Sequence, residues 1–415
     1  MKFLEYKFFQ VQNMNHLKKN TLQSEPKTGI TTFLFLLIYF FLVSYAYLFL
    51  FKNGGPKPLY YYLAFIAISA FIAIINISSP NIPKDRRFVF FQFWVVIYVI
   101  YFVTHVIFSP YPDIALPALI INFEALLIAI CAIHVSLTLK IVRASMWVMG
   151  LAAILAIPLN ILDFFDPIFT AVPGRSAGFY ENPTISGQMI ALMMVAGIPI
   201  FKKKIRTIFV LFCGLAILLT FSRAAWIFWL VGFFWMLSQN ELKTRTHVKS
   251  IFAFFLVLML SAFLFSGFFG KMITGSKFEH YLTPNTMARL GIGGKVMSGD
   301  SYEDRENLIK HSIKDFSEAP LFGHGIGYTE AQRRRPHNMY LLFMSEGGII
   351  GLFIYGFFIF SLWFSAHGLG KPLVIILAIS GLFTHNNLEQ PAMMLVSAFI
   401  VAHGALSRHE ANRKK

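Results

Sequence analysis

Apolar runs of about twenty residues recur along this chain, separated by short polar or basic connections, and that rhythm predicts membrane-spanning helices. Such runs fall near 30–51, 58–77, 88–108, 114–139, 144–162, 183–201, 207–221, 224–237, 250–269, 339–362, 372–384 and 391–406. The pattern predicts an all-α integral membrane protein of about twelve transmembrane helices. The pairs 207–221/224–237 and 372–384/391–406 are short, so their ends are the least sharply marked. One long polar stretch, 270–338, interrupts the series of brief connections, and a loop of that length implies a purpose. Within it, 302–318 carries Leu308, Ile309, Ile313 and Phe316 at a spacing that suits an amphipathic helix, lying on a membrane or capping a cavity.

The distribution of Lys and Arg orients these spans. Lys84/Arg86/Arg87, Lys140/Arg143, Lys202–Lys204 with Arg206, Lys243/Arg245/Lys249 and Arg408 with Arg413–Lys415 all fall on one side if both termini share it. Basic loops mark the cytoplasmic side, so both termini are expected there and 270–338 on the outer face. Residues 1–29 then form a cytoplasmic segment, 30–406 the membrane domain and 407–415 a cytoplasmic tail. The run Ile30–Phe51 is too long for the core of a signal peptide and lacks a small-residue cleavage site, so it reads as a first span.

Composition narrows the class. Hydrophobic residues make up 56% and charged residues 13%, with mean hydropathy +0.63, whereas a soluble domain carries about 25% charged residues. The net charge of +16 is accounted for by loop anchoring, and no nucleic-acid partner is implied. Cys131 and Cys213 both lie in apolar runs, which suggests neither a disulfide framework nor a metal cluster.

Four basic groups gather at the outer interface once the spans are drawn: Arg175 in PGRSAGFYENPTISG, Arg223 in TFSRAAW, Arg305 on the amphipathic segment, and His337 opening HNMYLLFMSEGGIIGL. A lone interfacial Arg is usually a headgroup anchor, and a His opening a helix is usually a cap or loop residue. Several guanidinium groups together with few acids make an anion site, because each matches phosphate oxygens bidentately. A diphosphate leaving group would be stabilised by such a clamp as its charge grows. His337, with an unperturbed pKa near 6.5, could take a proton from an acceptor hydroxyl. Arg335, within Arg333–Arg335, with Asn338 and Tyr340 beside His337, are substrate-binding candidates. His280, His311 and His324 read as ordinary loop residues, and Glu124 as an intramembrane acid paired within the bundle. FGHGIG lacks Walker spacing and reads as a flexible turn ahead of His337.

The ordered set RSAGFYENPTISGQ, TFSRAAWIFWLVG, YEDRENLIKHSIKDFSEAPLFGHGIG and PHNMYLLFMSEGGIIGL resembles the O-antigen ligase and polymerase superfamily of bacterial envelope enzymes, over roughly 170–365. The resemblance implies a multi-pass transferase of the bacterial inner membrane with its active site facing the periplasm, needing no metal and no cofactor. Its donor would be a glycan on undecaprenyl diphosphate. Its acceptor would be lipid A–core of lipopolysaccharide or another periplasmic hydroxyl. Position by position, Arg223 matches the Arg of the Thr/Ser-Arg motif, Arg305 the loop Arg before the Pro-Leu-Phe-Gly turn, Arg175 the Arg before the Gly-Phe-x-x-Asn-Pro run, and His337 the loop-end His. The implied roles are diphosphate binding for the arginines and acceptor activation for His337. A single large outer loop favours a ligase over a polymerase or a protein O-oligosaccharyltransferase. A lipid-linked glycan transporter is the alternative of another class, although no internal repeat of the transporter kind is visible.

Overall fold

The computed structural model describes residues 29–76, 85, 87–172, 174–242 and 300–413, without the side chains of 300–304. The expected span 250–269, His280 and much of 270–338 lie outside these residues. Among the described residues every regular element is a helix. In chain order they are α1 (Gly29–Ser44), α2 (Ala46–Lys52), α3 (Pro58–Ile75), α4 (Phe88–Ile107), α5 (Pro112–Leu139), α6 (Val142–Phe165) and α7 (Pro183–Gly197). There follow α8 (Lys203–Leu219), α9 (Arg223–Ser238), α10 (Asp300–Glu318), α11 (Tyr328–Ala331), α12 (Met339–Ser365), α13 (Gly370–Ser380) and α14 (Pro391–Arg413).

Among the described residues seven helices are long and apolar enough to cross a membrane, or eight if the α1–α2 pair is one span, while α9 and α13 are shorter apolar helices. The pair α1–α2 departs from the single span expected at 30–51, because it bends by 76°. The bend falls at Tyr45, which adopts a left-handed backbone (φ 60). Beside it the Ser44 hydroxyl bonds back to Phe40 O at 2.7 Å, a competitor for the helical ladder.

Two helices form the centre. In α14, 83% of the apolar window is buried and in the α7 span 78%, as befits helices apolar on every side. The others pack around them and turn Phe, Ile and Leu outward, among them Phe93, Ile100 and Phe353, the expected surface for contact with lipid. Close crossings use small residues: a Cβ on Gly197 would stand 2.5 Å from Gly150 Cα. Two aromatic residues of α4 place buried polar tips on partners: Trp94 Nε1 donates to Ile354 O at 3.1 Å and Tyr98 OH to Asn122 Oδ1 at 2.7 Å. Glu124 differs from expectation, forming no ion pair among the described residues.

Candidate functional site

Four connections meet at one end of the bundle: 166–182, 220–222, 319–338 and 381–390. The first is organised by Asp163, at the end of α6 and fully buried. Its carboxylate accepts four backbone N–H bonds, from Phe169 (2.8 Å), Thr170 (3.2 Å), Ala177 (2.7 Å) and Gly178 (3.1 Å). Asn160, one turn earlier, accepts from Ser176 and Ser186, both at 3.1 Å. These bonds fix the segment that carries Arg175. Arg175 is 6% exposed, and its Nε donates to Thr220 O at 2.9 Å. It therefore braces the turn 220–222, which leads into the exposed Arg223 at the start of α9.

The expected amphipathic helix is present as α10, with Arg305 exposed. Its far end holds the next connection. Tyr328 OH donates to Asp315 Oδ1 at 3.1 Å, and Arg334 donates to His311 Nδ1 and to Tyr328 OH, both at 3.0 Å. FGHGIG, expected to be a flexible turn, is tied down by backbone hydrogen bonds. Gly323, Gly325 and Gly327 all have positive φ, and the segment docks against a break in α12. Ile349 N–H donates to Pro320 O at 2.8 Å and Gly325 N–H to Glu346 O at 2.9 Å. Asp315, Glu318 and His324 bring ligand atoms within 4.8 Å of one another. Asp315 is nevertheless occupied by Tyr328, and His324 Nε2 meets the Asp315 carbonyl at 2.9 Å.

His337 is exposed immediately before α12. Asn338 caps that helix, its side-chain oxygen accepting from Tyr340 N–H (2.9 Å) and Leu341 N–H (3.1 Å). Tyr340 turns inward, its hydroxyl donating to Ala378 O at 3.0 Å and its ring packed edge-on to Tyr355, so its polar tip is committed to the bundle. Met339 N–H donates to Gly381 O at 2.7 Å and ties this helix start to the 381–390 loop. There the ring of His385 lies 5.0 Å from that of His337. Arg335 pairs with Glu389 and reaches Glu330 at 3.9 Å.

Charge and burial here favour neutral imidazoles. His337 is held below its ordinary value by partial burial first, then by Arg305 and Arg335. His385 is pushed down to about 3 by burial, Arg335 and His337. Burial raises the Glu389 carboxyl, against the lowering effect of Arg335. Arg305 is thus electrostatically coupled to His337 although it belongs to another element. Beneath the 381–390 loop, Asn387 bonds to Ser380 (2.8 Å) and Thr384 (2.8 Å), and Gln188 of α7 donates to it at 3.3 Å. A cavity of ≈ 310 Å³ opens beside Arg335 and Glu389, walled by Tyr101 and Phe102 of α4, Ile114 and Asn122 of α5, and Phe343.

Residues 208–356 match the family model described as O-antigen ligase. Over that stretch, about a third of its length, the chain is similar to the O-antigen ligase family. No curated protein matches the chain. The matched stretch includes Arg223, Arg305, Arg335, His337, Asn338 and Tyr340, whereas Arg175 precedes it and His385 and Glu389 follow it. The series of long apolar helices, together with that similarity, marks the chain as a multi-pass membrane protein. Of the residues singled out by sequence, Arg335, His337 and Asn338 lie together before α12, Arg305 bears on His337 by its charge, and Arg175 braces the turn that leads into Arg223. His385, Glu389 and Asp163 were not anticipated. The polar run THNNLEQP before a helix-starting Pro391 was the available signal for the first two.

Proposed function

We propose that this protein is an O-antigen ligase-like glycosyltransferase of the bacterial inner membrane, with the site end facing the periplasm. It takes a glycan from undecaprenyl diphosphate and passes it to a hydroxyl acceptor, of which lipid A–core is the foremost. The observation that carries this reading is the exposed His337, its ring 5.0 Å from that of His385 at the start of a helix inside the matched stretch. It is held below its ordinary value by partial burial, Arg305 and Arg335. A neutral imidazole beside fixed cations suits proton abstraction next to an anionic leaving group.

The acceptor oxygen attacks the anomeric carbon of the donor while its proton passes to a ring nitrogen of His337. The bond from that carbon to the phosphate oxygen breaks, and the diphosphate departs with the electron pair. Arg305 and Arg223 hold its growing charge, with Arg175 securing the turn from which Arg223 projects. Arg335, already paired to Glu389, sets the electrostatics of the two histidines. Asn338 keeps the helix start in register, its amide nitrogen available to substrate. The cavity beside Arg335 admits part of a substrate. The scheme calls on no metal or cofactor.

The test is a gene-deletion strain complemented with wild type, His337→Ala or Arg223→Ala at equal membrane levels, with lipopolysaccharide resolved by size and lipid-linked polymer assayed. Loss of the ladder with accumulation of long lipid-linked polymer supports a ligase. Single repeats on core would mean a polymerase, and defective flipping without a transfer defect would mean a transporter. An unchanged profile in both mutants would overturn the site.

A further inference from the structure

The end of the bundle opposite the site carries its own concentration of positive charge. Arg87, just before α4, lies over Phe364 with its guanidinium carbon 5.5 Å from the ring centroid, and its carbonyl accepts from Ser365 Oγ at 3.3 Å. Lys371, at the start of α13, places Nζ 3.9 Å from the Trp363 ring and donates to Trp363 O at 2.7 Å. Arg408 of α14 is paired with Asp85, donating through Nε at 2.8 Å. His367, in the connection between α12 and α13, is held below its ordinary value by burial and then by Arg408, Arg87 and Lys371. Asp85 is the sole acid in the whole 76–87 segment, and it is engaged by Arg408. Among the described residues no carboxylate pairs with Arg87 or Lys371.

A second feature leads to the same point. Along α12 the rings of Phe353, Phe357, Phe360 and Phe364 stack in succession, with centroids 6.0, 6.2 and 5.9 Å apart. From α4, Phe93 meets Phe357 at 6.0 Å and Phe90 meets Phe364 at 4.5 Å. The rail is open to the surroundings, with Phe353 64% and Phe93 57% exposed. An apolar helix face in a multi-pass protein meets acyl chains in any case. This one differs because it ends beneath a guanidinium, and beside an ammonium and an interfacial Trp.

We propose that this face is a binding site for one anionic phospholipid, its phosphate held between Arg87 and Lys371 and an acyl chain lying along the phenylalanine rail. The site is independent of the transferase reading and rests only on the chain being a membrane protein. Two juxtamembrane cations near an anionic headgroup contribute enough that removing both weakens binding about thirtyfold.

The experiment uses the full chain, purified in detergent and stripped of lipid. Native mass spectrometry and thermal unfolding are followed with phosphatidylglycerol, with phosphatidylethanolamine and with inorganic phosphate, each at the same concentration. The expected result is one retained phosphatidylglycerol and a raised Tm, with neither effect from the other two. Arg87→Gln/Lys371→Gln should keep the basal Tm and lose the phosphatidylglycerol response, while Phe360→Ala weakens it. Equal responses to both lipids would reduce the face to ordinary annular contact. A full response to inorganic phosphate would make it a free-anion site. Either outcome overturns the proposal, as does an unaltered phosphatidylglycerol response in a folded double variant. Should the double variant not fold, the wild-type comparison of the three ligands decides alone.

Discussion

His337 and His385 approach to a ring separation of 5.0 Å from opposite ends of the α12–α13 hairpin, fixed by the bond from Met339 N–H to Gly381 O. The two rings differ in setting: His337 is exposed, while the Nδ1 of His385 is buried. On the proposed mechanism His337 meets the acceptor and His385 positions it. His337→Ala should therefore lower transfer about 10²–10⁴-fold, the range for loss of a general base. His385→Ala should cost less, with a change in acceptor KM, because it loosens its neighbour without removing the base. Transfer by purified variants in proteoliposomes with lipid-linked donor checks this. Equal losses in kcat alone would give the two rings equivalent roles.

The acid limb of activity carries a sign that can be tested. His337 sits below its ordinary value, so it stays neutral, and able to accept a proton, to a lower pH than an unperturbed histidine does. Arg305 is one cause of that lowering, so Arg305→Gln lets the His337 value rise. The acid limb of kcat/KM should then move to higher pH, on top of a rate loss of about 10²–10³-fold from removing a charge-stabilising donor. Arg305→Lys should restore the limb, since charge is kept, but not the full rate, because an ammonium has no bidentate fork. A limb that does not move in Arg305→Gln would place that residue away from the base.

How far the sequence could lead depended on the kind of signal. Apolar runs located nearly all the described helices, since burial in lipid demands long uninterrupted hydrophobic stretches. Hydropathy is blind to direction, so the 76° bend after Ser44 left no trace in it. The same blindness extended the span expected at 372–384 past the observed end of α13 at Ser380. Gly381–Thr384 are apolar enough to look like helix, and treating them so hid the loop that presents His385 and Glu389. Arg175 was legible as a special cation, but its burial was not. Only the fold shows that Asp163, twelve residues earlier at the end of α6, holds its loop by four backbone bonds.

That arrangement around Asp163 predicts an effect at a distance. Asp163→Ala leaves four N–H groups without their acceptor, and the two buried ones, Ala177 and Gly178, each cost about 1–3 kcal/mol if they find no other. The Arg175 segment must then shift, and with it the turn that launches Arg223. A displacement of about 1 Å at a positioning element costs up to about 10²-fold in rate. Asp163→Asn, with one oxygen retained, should recover part of both. Membrane-level Tm and transfer rate measured together decide: a Tm loss with full activity would separate the loop from the site.

The interlock between α12 and the glycine turn makes the sharpest structural prediction. Gly348 breaks α12 with φ 61 and ψ −149, a conformation almost confined to glycine. A Cβ there would also stand 2.6 Å from the Leu321 carbonyl carbon, and one on Gly323 would stand 2.4 Å from the Glu346 carbonyl carbon. Both obstacles are backbone, which has no rotamer to escape into. Gly348→Ala should cost about 3 kcal/mol or more, combining dihedral strain of about 1–3 kcal/mol with overpacking. Gly356→Ala, further along the same helix, is the control, because its Cβ would meet nothing within 4 Å. There alanine should be neutral or stabilising by up to about 1 kcal/mol. Thermal unfolding of the two variants side by side distinguishes a helix that merely contains glycines from one whose break holds the His337 loop. Comparable Tm values for both would mean that α12 can straighten without loss, and that the docked turn does not set the position of His337.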